Sequence, residues 1–77
     1  SAGVETLMLV NNEVDFIFHG RVTPWDHSPM TLITKEAGGE VLMFNNASSF
    51  NIFSKGPLLA SKNIEHWKYV KSKLNIN

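Results

Sequence analysis

The segment 24–39 constrains the fold more than any other, because it marks both ends of a short helix. Asp26 is a favourable N-cap, since its carboxylate can accept hydrogen bonds from backbone N–H groups of the first helical turn. Ser28-Pro29 offers a competing start, because proline at the first helical position loses no hydrogen bond. Gly38-Gly39 supplies the left-handed residue that commonly ends a helix. The sequence therefore predicts a helix that begins near Asp26 and ends near Ala37.

Asp26 has two interpretations from the residues alone. The positive end of the helix dipole favours the ionised carboxylate, and an ionised carboxylate is the kind of ligand that Mg²⁺ prefers. The side chain could equally cap the helix and have no further role. The helix pattern by itself leaves both interpretations open.

Length, charge and cysteine content exclude several classes of protein. With 77 residues the chain is one small domain, and such a domain buries only about 60 % of its unfolded surface. Lys plus Arg and Asp plus Glu number 7 each, so the basic surface of a nucleic-acid-binding protein is missing. The apolar runs are too short to cross a membrane. Because there is no cysteine, no disulfide or thiolate metal site can form, and a reducing, cytoplasmic location is expected.

The rest of the chain alternates between helix and strand patterns. Short apolar strands between helices predict an α/β fold, with a mixed or parallel sheet packed between helices. The aromatic residues at 16, 18, 25 and 44 are expected in the core. The predicted elements before the final helix are, in order, a helix within 1–12, a strand at 14–18, the helix near 26–37, a central strand at 41–44, a weak strand or irregular segment at 50–53, and a buried strand at 58–60. A final helix follows, and Asn63 is its predicted cap. The apolar stripe of this helix is Ile64, Trp67, Val70, Lys71 and Leu74.

Several short motifs, in the right order, resemble one enzyme family. Trp25-Asp26, Leu32-Ile33 and the sequence 36–39 (Glu-Ala-Gly-Gly) resemble the C-terminal signature of the inositol monophosphatase family. Ser1-Ala2-Gly3 is similar to the family's Ser/Thr-Ala-Ala run, and residues 58–61 (Leu-Leu-Ala-Ser) to its C-terminal end. The resemblance implies a sugar-phosphatase fold and, for the parent protein, a phosphomonoesterase that depends on Mg²⁺ and is sensitive to Li⁺.

The resemblance also implies roles for four residues. Asp26 would be a metal ligand, one of the carboxylates that hold Mg²⁺ in the parent protein. Ser1 and Ala2 would contact substrate hydroxyls. His19 falls where inositol-selective members have a glutamate that accepts hydrogen bonds from the substrate. Because an imidazole is not a permanent anion and can donate, inositol, sugar and nucleotide phosphates all stay open as substrates.

The chain departs from the family in length and in sequence. The family's Asp-Pro-x-Asp-Gly-Thr segment and its upstream Glu-Glu ligands are not within 1–77, which is therefore expected to be the C-terminal lobe of a larger phosphatase. One carboxylate cannot hold a pair of metal ions, so we expect no catalytic residue and no activity in this fragment alone. Ser28-Pro29-Met30 replaces small residues, and Thr34 stands where an aliphatic residue is usual.

The expected partners follow from this interpretation. They are a small-molecule phosphate ester, the N-terminal portion of the same protein and a second copy of the chain, with no nucleic-acid polymer and no membrane. Two alternatives stay open. The chain could be a non-catalytic binding or regulatory module, or an α/β fragment that self-associates through an exposed sheet edge and apolar helix faces.

Other polar residues are expected at the surface. His27 is predicted to be a solvent-facing side chain of the first helical turn, with orientation of Asp26 as the alternative. His66 is expected on the surface of the final helix. No His-x-x-x-His or Glu-x-x-His spacing occurs, which argues against a zinc site. Lysines of the final helix at positions 68, 71 and 73 predict a solvated face.

Overall fold

The computed structural model describes residues 6, 9, 11–22, 24–51 and 53–74, except for the side chains of Pro24 and Asp26. Thr6 and Leu9 are helical, and residues 11 and 12 form a turn. The other residues of the helix predicted within 1–12, with Ser1 and Ala2 among them, lie outside the described residues. The described strands and helices, in chain order, are β1 (Phe16–His19), α1 (Pro24–Glu36), β2 (Glu40–Met43), β3 (Leu58–Ser61) and α2 (Ile64–Leu74).

The central strand of the described sheet is β3, and the strand order is β1-β3-β2. Both pairings are antiparallel, and Phe16 of β1 and Glu40 of β2 each lie opposite Ser61 of β3. All of β3 is buried, as predicted. The prediction that the strand at 41–44 is central is wrong for this sheet, because β2 lies at an edge. Side chains cover both faces of β2, so an apolar pattern on both faces does not require a neighbouring strand on each side.

The two helices lie on opposite faces of the sheet. Successive side chains of a strand point to opposite faces, and β3 follows this rule. Leu58 and Ala60 pack in one core cluster with Met30 of α1, whereas Leu59 packs with Trp67 and Val70 of α2. The predicted α/β fold with helices on the faces of a sheet is therefore confirmed. The prediction that the sheet is mixed or parallel is wrong for the described strands, which are all antiparallel.

The final helix docks through its predicted stripe. Asn63 caps α2, because its Oδ1 accepts a hydrogen bond of 2.7 Å from the backbone N–H of His66. The indole N–H of the buried Trp67 donates to the carbonyl of Leu59 at 2.7 Å. Lys71 is half-buried rather than part of a solvated face: its Nζ donates to the carbonyl of Phe44 and lies 4.7 Å from the centroid of that ring.

Burial of the aromatic residues differs from the prediction. Only Phe44 of the four is buried, while Phe16 is 39 % exposed, Phe18 43 % and Trp25 87 %. The buried residue of β1 is Ile17. Phe18 packs edge-on against Phe44 at a centroid distance of 5.2 Å, but the edge position of β1 leaves much of its ring in solvent. Neither described helix is long and apolar enough to cross a membrane.

Helix α1 ends at the predicted glycine pair, in a Schellman motif. Gly38 has a φ of 89°, its N–H donates to the carbonyl of Lys35 at 3.0 Å, and the N–H of Gly39 donates to the carbonyl of Thr34 at 2.9 Å. A Cβ on Gly39 would lie 2.6 Å from Cγ2 of Thr34 and 2.7 Å from the carbonyl oxygen of Ser61. Only glycine lets the connection from α1 to β2 pass this close to β3.

A small cavity adjoins this helix end. It measures about 110 Å³, and its lining includes Thr34, Gly39, Ser61 and Lys62. The hydroxyls of Thr34 and Ser61 are buried and make no hydrogen bond to any described group. A buried polar group without a partner costs about 1–3 kcal/mol. Among the described residues, this end therefore combines a tight backbone closure with two hydroxyls that have no partner there.

Candidate functional site

Asp26, the predicted metal ligand, is the third residue of α1 because the helix begins at Pro24. The prediction that Asp26 caps the helix from outside is wrong. Pro24 suits the first helical position, since its φ is preset and its missing N–H would have no partner there. Pro29 also lies inside the helix, so Ser28-Pro29 does not start it. The side chain of Asp26 lies outside what the structure describes, but its place in the first turn is close to the positive end of the helix dipole.

His19, the residue predicted to face the substrate, ends β1 and contacts α1. Its Nδ1 forms a hydrogen bond with Nε2 of His27. The two rings meet edge to face, with their centroids 4.6 Å apart and their planes at 85°. The contact closes the connection between β1 and α1. It also brings His19 against the residue that follows Asp26 in the chain.

His27 is buried, with 4 % of its surface exposed, so the prediction of a solvent-facing side chain is wrong. The ring of Phe50 lies 6.3 Å away on one side, and His19 covers another. The hydroxyl of Thr31 donates to the backbone carbonyl of His27 at 2.8 Å. One sequence signal could have predicted the burial of His27. Alternation along β1 puts His19 on the same face as Ile17. A helix that packs on this face must bring one of its residues into contact with His19.

The ligand atoms of the residues around the start of α1 are of two types, the nitrogens of His19 and His27 and the carboxylate oxygens of Asp26. Within the described residues, no group of three or more His, Asp or Glu side chains is placed to hold a metal ion. The two imidazoles offer nitrogen, whereas Mg²⁺ prefers oxygen ligands. The carboxylate of Asp26 is the right type of ligand for Mg²⁺. The histidine pair is therefore not the type of ligand that this metal prefers.

His66 takes no part in this arrangement. It lies on α2, on the opposite face of the sheet from α1, and is half-buried where a surface position was predicted. Its ring stacks on that of Tyr69, with the centroids 6.1 Å apart and the planes at 27°. The structure thus brings His19 together with the first turns of α1 and leaves His66 elsewhere.

A sequence model of the inositol monophosphatase family matches residues 1–75. The chain belongs to this family. The family predicted from the motifs around Trp25-Asp26 and Gly38-Gly39 is therefore confirmed. Comparison with curated protein sequences gives no match.

Solved structures of inositol monophosphatases share the fold. SaIMPase-II with 2′-AMP bound is 18 % identical, with a TM-score of 0.79 over 94 % of this chain and 27 % of its own. The inositol monophosphatase of Anabaena (Nostoc) sp. is 22 % identical, with a TM-score of 0.78 over 100 % of this chain and 30 % of its own. Inositol monophosphatase II of Staphylococcus aureus is 16 % identical, with a TM-score of 0.75 over 97 % and 29 %. This chain spans less than a third of the length of these family members.

Proposed function

We propose that this chain is the C-terminal lobe of a Mg²⁺-dependent phosphomonoesterase. The observation that carries the proposal is the contact between His19 and His27, which joins the end of β1 to the first turns of α1, where Asp26 lies. A residue proposed to face the substrate and a residue proposed to hold the metal thus belong to one small region. Membership of the inositol monophosphatase family supports the same assignment.

Asp26 is the proposed Mg²⁺ ligand of this lobe. Its carboxylate is a hard oxygen donor of the kind that Mg²⁺ prefers, and it stands in the first turn of α1. The further carboxylates needed for a metal pair would come from an N-terminal portion of the intact protein. When bound, Mg²⁺ would offset the negative charge of the phosphate oxygens and orient the ester.

His19, with Ser1 and Ala2, is proposed to contact the alcohol side of the substrate. A neutral imidazole can donate as well as accept a hydrogen bond, which a carboxylate cannot. The structural relatives include an inositol monophosphatase and a protein with 2′-AMP bound. We therefore propose monophosphates of inositol, sugars or nucleosides as the substrate class.

The test is phosphate release from inositol 1-phosphate, sugar phosphates and 2′-AMP by the intact protein, with and without Mg²⁺ and Li⁺. We expect release that requires Mg²⁺ and that Li⁺ inhibits. Asp26→Asn should lower kcat/KM by more than about 100-fold, since loss of a metal ligand costs at least as much as loss of its supporting contacts. Glu36→Gln, exposed at the other end of α1, is the matched control and should leave kcat/KM unchanged. Equal losses in the two variants would contradict the proposed role of Asp26.

Residues 1–77 alone are proposed to be inactive. The reason is that hydrolysis by this kind of site needs metal ions held by several carboxylates, of which this chain is proposed to supply Asp26. The measurement is the same phosphate-release assay on the purified chain. Mg²⁺-dependent activity that Asp26→Ala abolishes would refute this proposal.

Self-association is a second candidate function, favoured by the outer surface of α1. Trp25 is 87 % exposed, Leu32 61 % and Ile33 44 %, which is unusual for large apolar side chains on one helix. The N-terminal portion of an intact protein or a second copy of this chain could cover them. Sedimentation of the purified chain decides: a dimer supports self-association, and a monomer that stays soluble contradicts it.

A further inference from the structure

The described sheet has an open edge at β1. In the part of the chain that the structure describes, β1 pairs with β3 on one side and with no strand on the other. The backbone N–H and C=O groups along such an edge are a template for a further strand. Soluble proteins often protect an edge strand with lysine or proline, and the four residues of β1 include neither. The edge is therefore suited to accept another strand.

The two phenylalanines of β1 belong to the face of the sheet that α2 covers. Phe18 packs against Phe44, which clusters with the buried residues of α2, and Phe16 shares this face because side chains two residues apart point the same way. Both rings are partly exposed. An apolar groove of about 220 Å³ adjoins Phe16, and its lining includes Tyr69 and Leu74 of α2. A strand added beside β1 would bring its own side chains to this groove.

The sequence around β1 is complementary to itself in charge and in size. When two copies of a strand pair antiparallel about a two-fold axis, one residue lies opposite its own copy. Residues at equal distances before and after it then lie opposite each other. With Ile17 on the axis, Phe16 of one copy lies opposite Phe18 of the other, and Glu13 lies opposite Arg21. Glu13 and Arg21 are both exposed, so their side chains can meet across the two copies.

Neighbouring registers match less well. With Phe16 on the axis, Arg21 would lie opposite Asn11, which has no charge. With Phe18 on the axis, Phe16 would lie opposite Gly20, which has no side chain to pack against a ring. Of these three registers, the first one alone pairs ring with ring and opposite charges with each other.

We propose that a second copy of this chain pairs with the open edge through its own β1, antiparallel, with the two-fold axis at Ile17. The two described sheets then form one sheet of six strands, and Phe18 of the second copy lies next to Phe16 at the groove. Opposite charges that face each other across a strand pair are stabilising, and the two-fold axis makes each pair occur twice. This inference rests on the self-association named above as the second candidate function, and it assigns that function to β1 instead of the outer surface of α1.

The first test is sedimentation equilibrium of the 77-residue chain and of charge-reversal variants. We expect the wild type to dimerise. Arg21→Glu should raise the Kd of the dimer by about tenfold or more, because two attractive pairs with Glu13 become repulsive. Glu13→Arg combined with Arg21→Glu in one chain should restore the wild-type Kd. Lys55→Glu is the matched control, since it makes the same change in net charge at an exposed position outside β1, and should leave the Kd unchanged.

A mixing experiment tests the register itself. Glu13→Arg has cations at both positions and Arg21→Glu has anions at both, so each should dimerise weakly alone and the two should form a heterodimer when mixed. A dimer formed through α1 would not depend on these two positions. Glu36→Arg mixed with Lys55→Glu is the control, because both residues are exposed and lie outside β1. This control pair should show no preference for the heterodimer.

Four results would overturn the proposal. A wild type that is monomeric at every concentration would leave the edge to another occupant, such as the N-terminal portion of an intact protein. Equal weakening by Arg21→Glu and Lys55→Glu would place the interface elsewhere, and so would a double variant as weak as Arg21→Glu. A dimer that Leu32→Ser dissociates and Arg21→Glu does not would assign self-association to α1, so that the second candidate function would stand without β1.

Discussion

The two ends of α1 differ in where their structure comes from. At the C-terminal end, Gly38 and Gly39 close the helix by bonding to carbonyls of its own last turns. At the N-terminal end, Pro24 starts the helix, Pro29 interrupts its hydrogen bonds, and His27 reaches across to His19 of β1. The hydrogen bonds of the first end join residues of the helix and its cap, whereas the described side-chain contact of the second end reaches the preceding strand. The end that contacts the preceding strand is also the end that carries the proposed chemistry.

Replacement of Gly39 should give the largest loss of stability and would show how tightly the C-terminal end is closed. We expect Gly39→Ala to lower the free energy of unfolding by about 3 kcal/mol, because the new Cβ would meet a backbone oxygen of Ser61 that cannot turn away. Urea unfolding measures the change. Gly20→Ala is the control, since a Cβ there meets nothing within 4 Å. Equal stability of the two variants would contradict the close approach.

At the N-terminal end, replacement of proline should act in opposite directions at two positions. Pro29→Ala should raise the free energy of unfolding by about 1–2 kcal/mol, because it restores a backbone donor inside the helix and removes a steric clash. Pro24→Ala should lower the free energy of unfolding by about 0.5 kcal/mol. The first helical residue needs no backbone donor, so the substitution gains no hydrogen bond there and removes the preset φ of proline. Thermal unfolding of both variants tests this. A gain of stability in Pro24→Ala would contradict its place as the first helical residue, and a loss in Pro29→Ala would contradict the cost of a proline inside the helix.

Two threonines of α1 allow a further comparison of its two ends, with smaller expected changes in the free energy of unfolding. The hydroxyl of Thr34 is buried without a partner among the described groups, whereas that of Thr31 donates to the carbonyl of His27. Thr34→Val should raise the free energy of unfolding by about 1 kcal/mol, and Thr31→Val should lower it by about the same amount. The measurement is urea unfolding of the two variants side by side. A loss of stability in Thr34→Val would show that its hydroxyl is satisfied.

The sequence predicted those parts of the fold that depend on nearby residues. The glycine pair ended α1, Asn63 capped α2, and the stripe of Trp67 and Val70 became buried, because caps and periodic faces act within one or two turns. The family also followed from short motifs. Strand order did not follow: the apolar pattern at 41–44 is the same whether a strand is central or at an edge covered by side chains.

For the candidate site, the sequence predicted roles for His19 and Asp26, but it did not predict that the buried His27 contacts His19. The burial of His27 depends on a pairing of β1 with β3 and on the packing of α1 over that sheet, and neither is local. The same reason explains the exposure of Phe16 and Trp25, which composition alone assigned to the core. The roles of Ser1, Ala2, His19 and Asp26 stay predictions, which the experiments above address.

The central position of β3 has a consequence for the order of folding. β1 and β2 both precede β3 in the chain, and they do not pair with each other. As the chain leaves the ribosome, both edge strands are made before the strand that joins them, and the pairing of β1 must close a loop that contains α1 and β2. The described sheet therefore forms late, when Leu58–Ser61 has emerged. A chain that ends before Leu58 would contain the residues of β1 and β2 but would lack β3, the strand with which both of them pair.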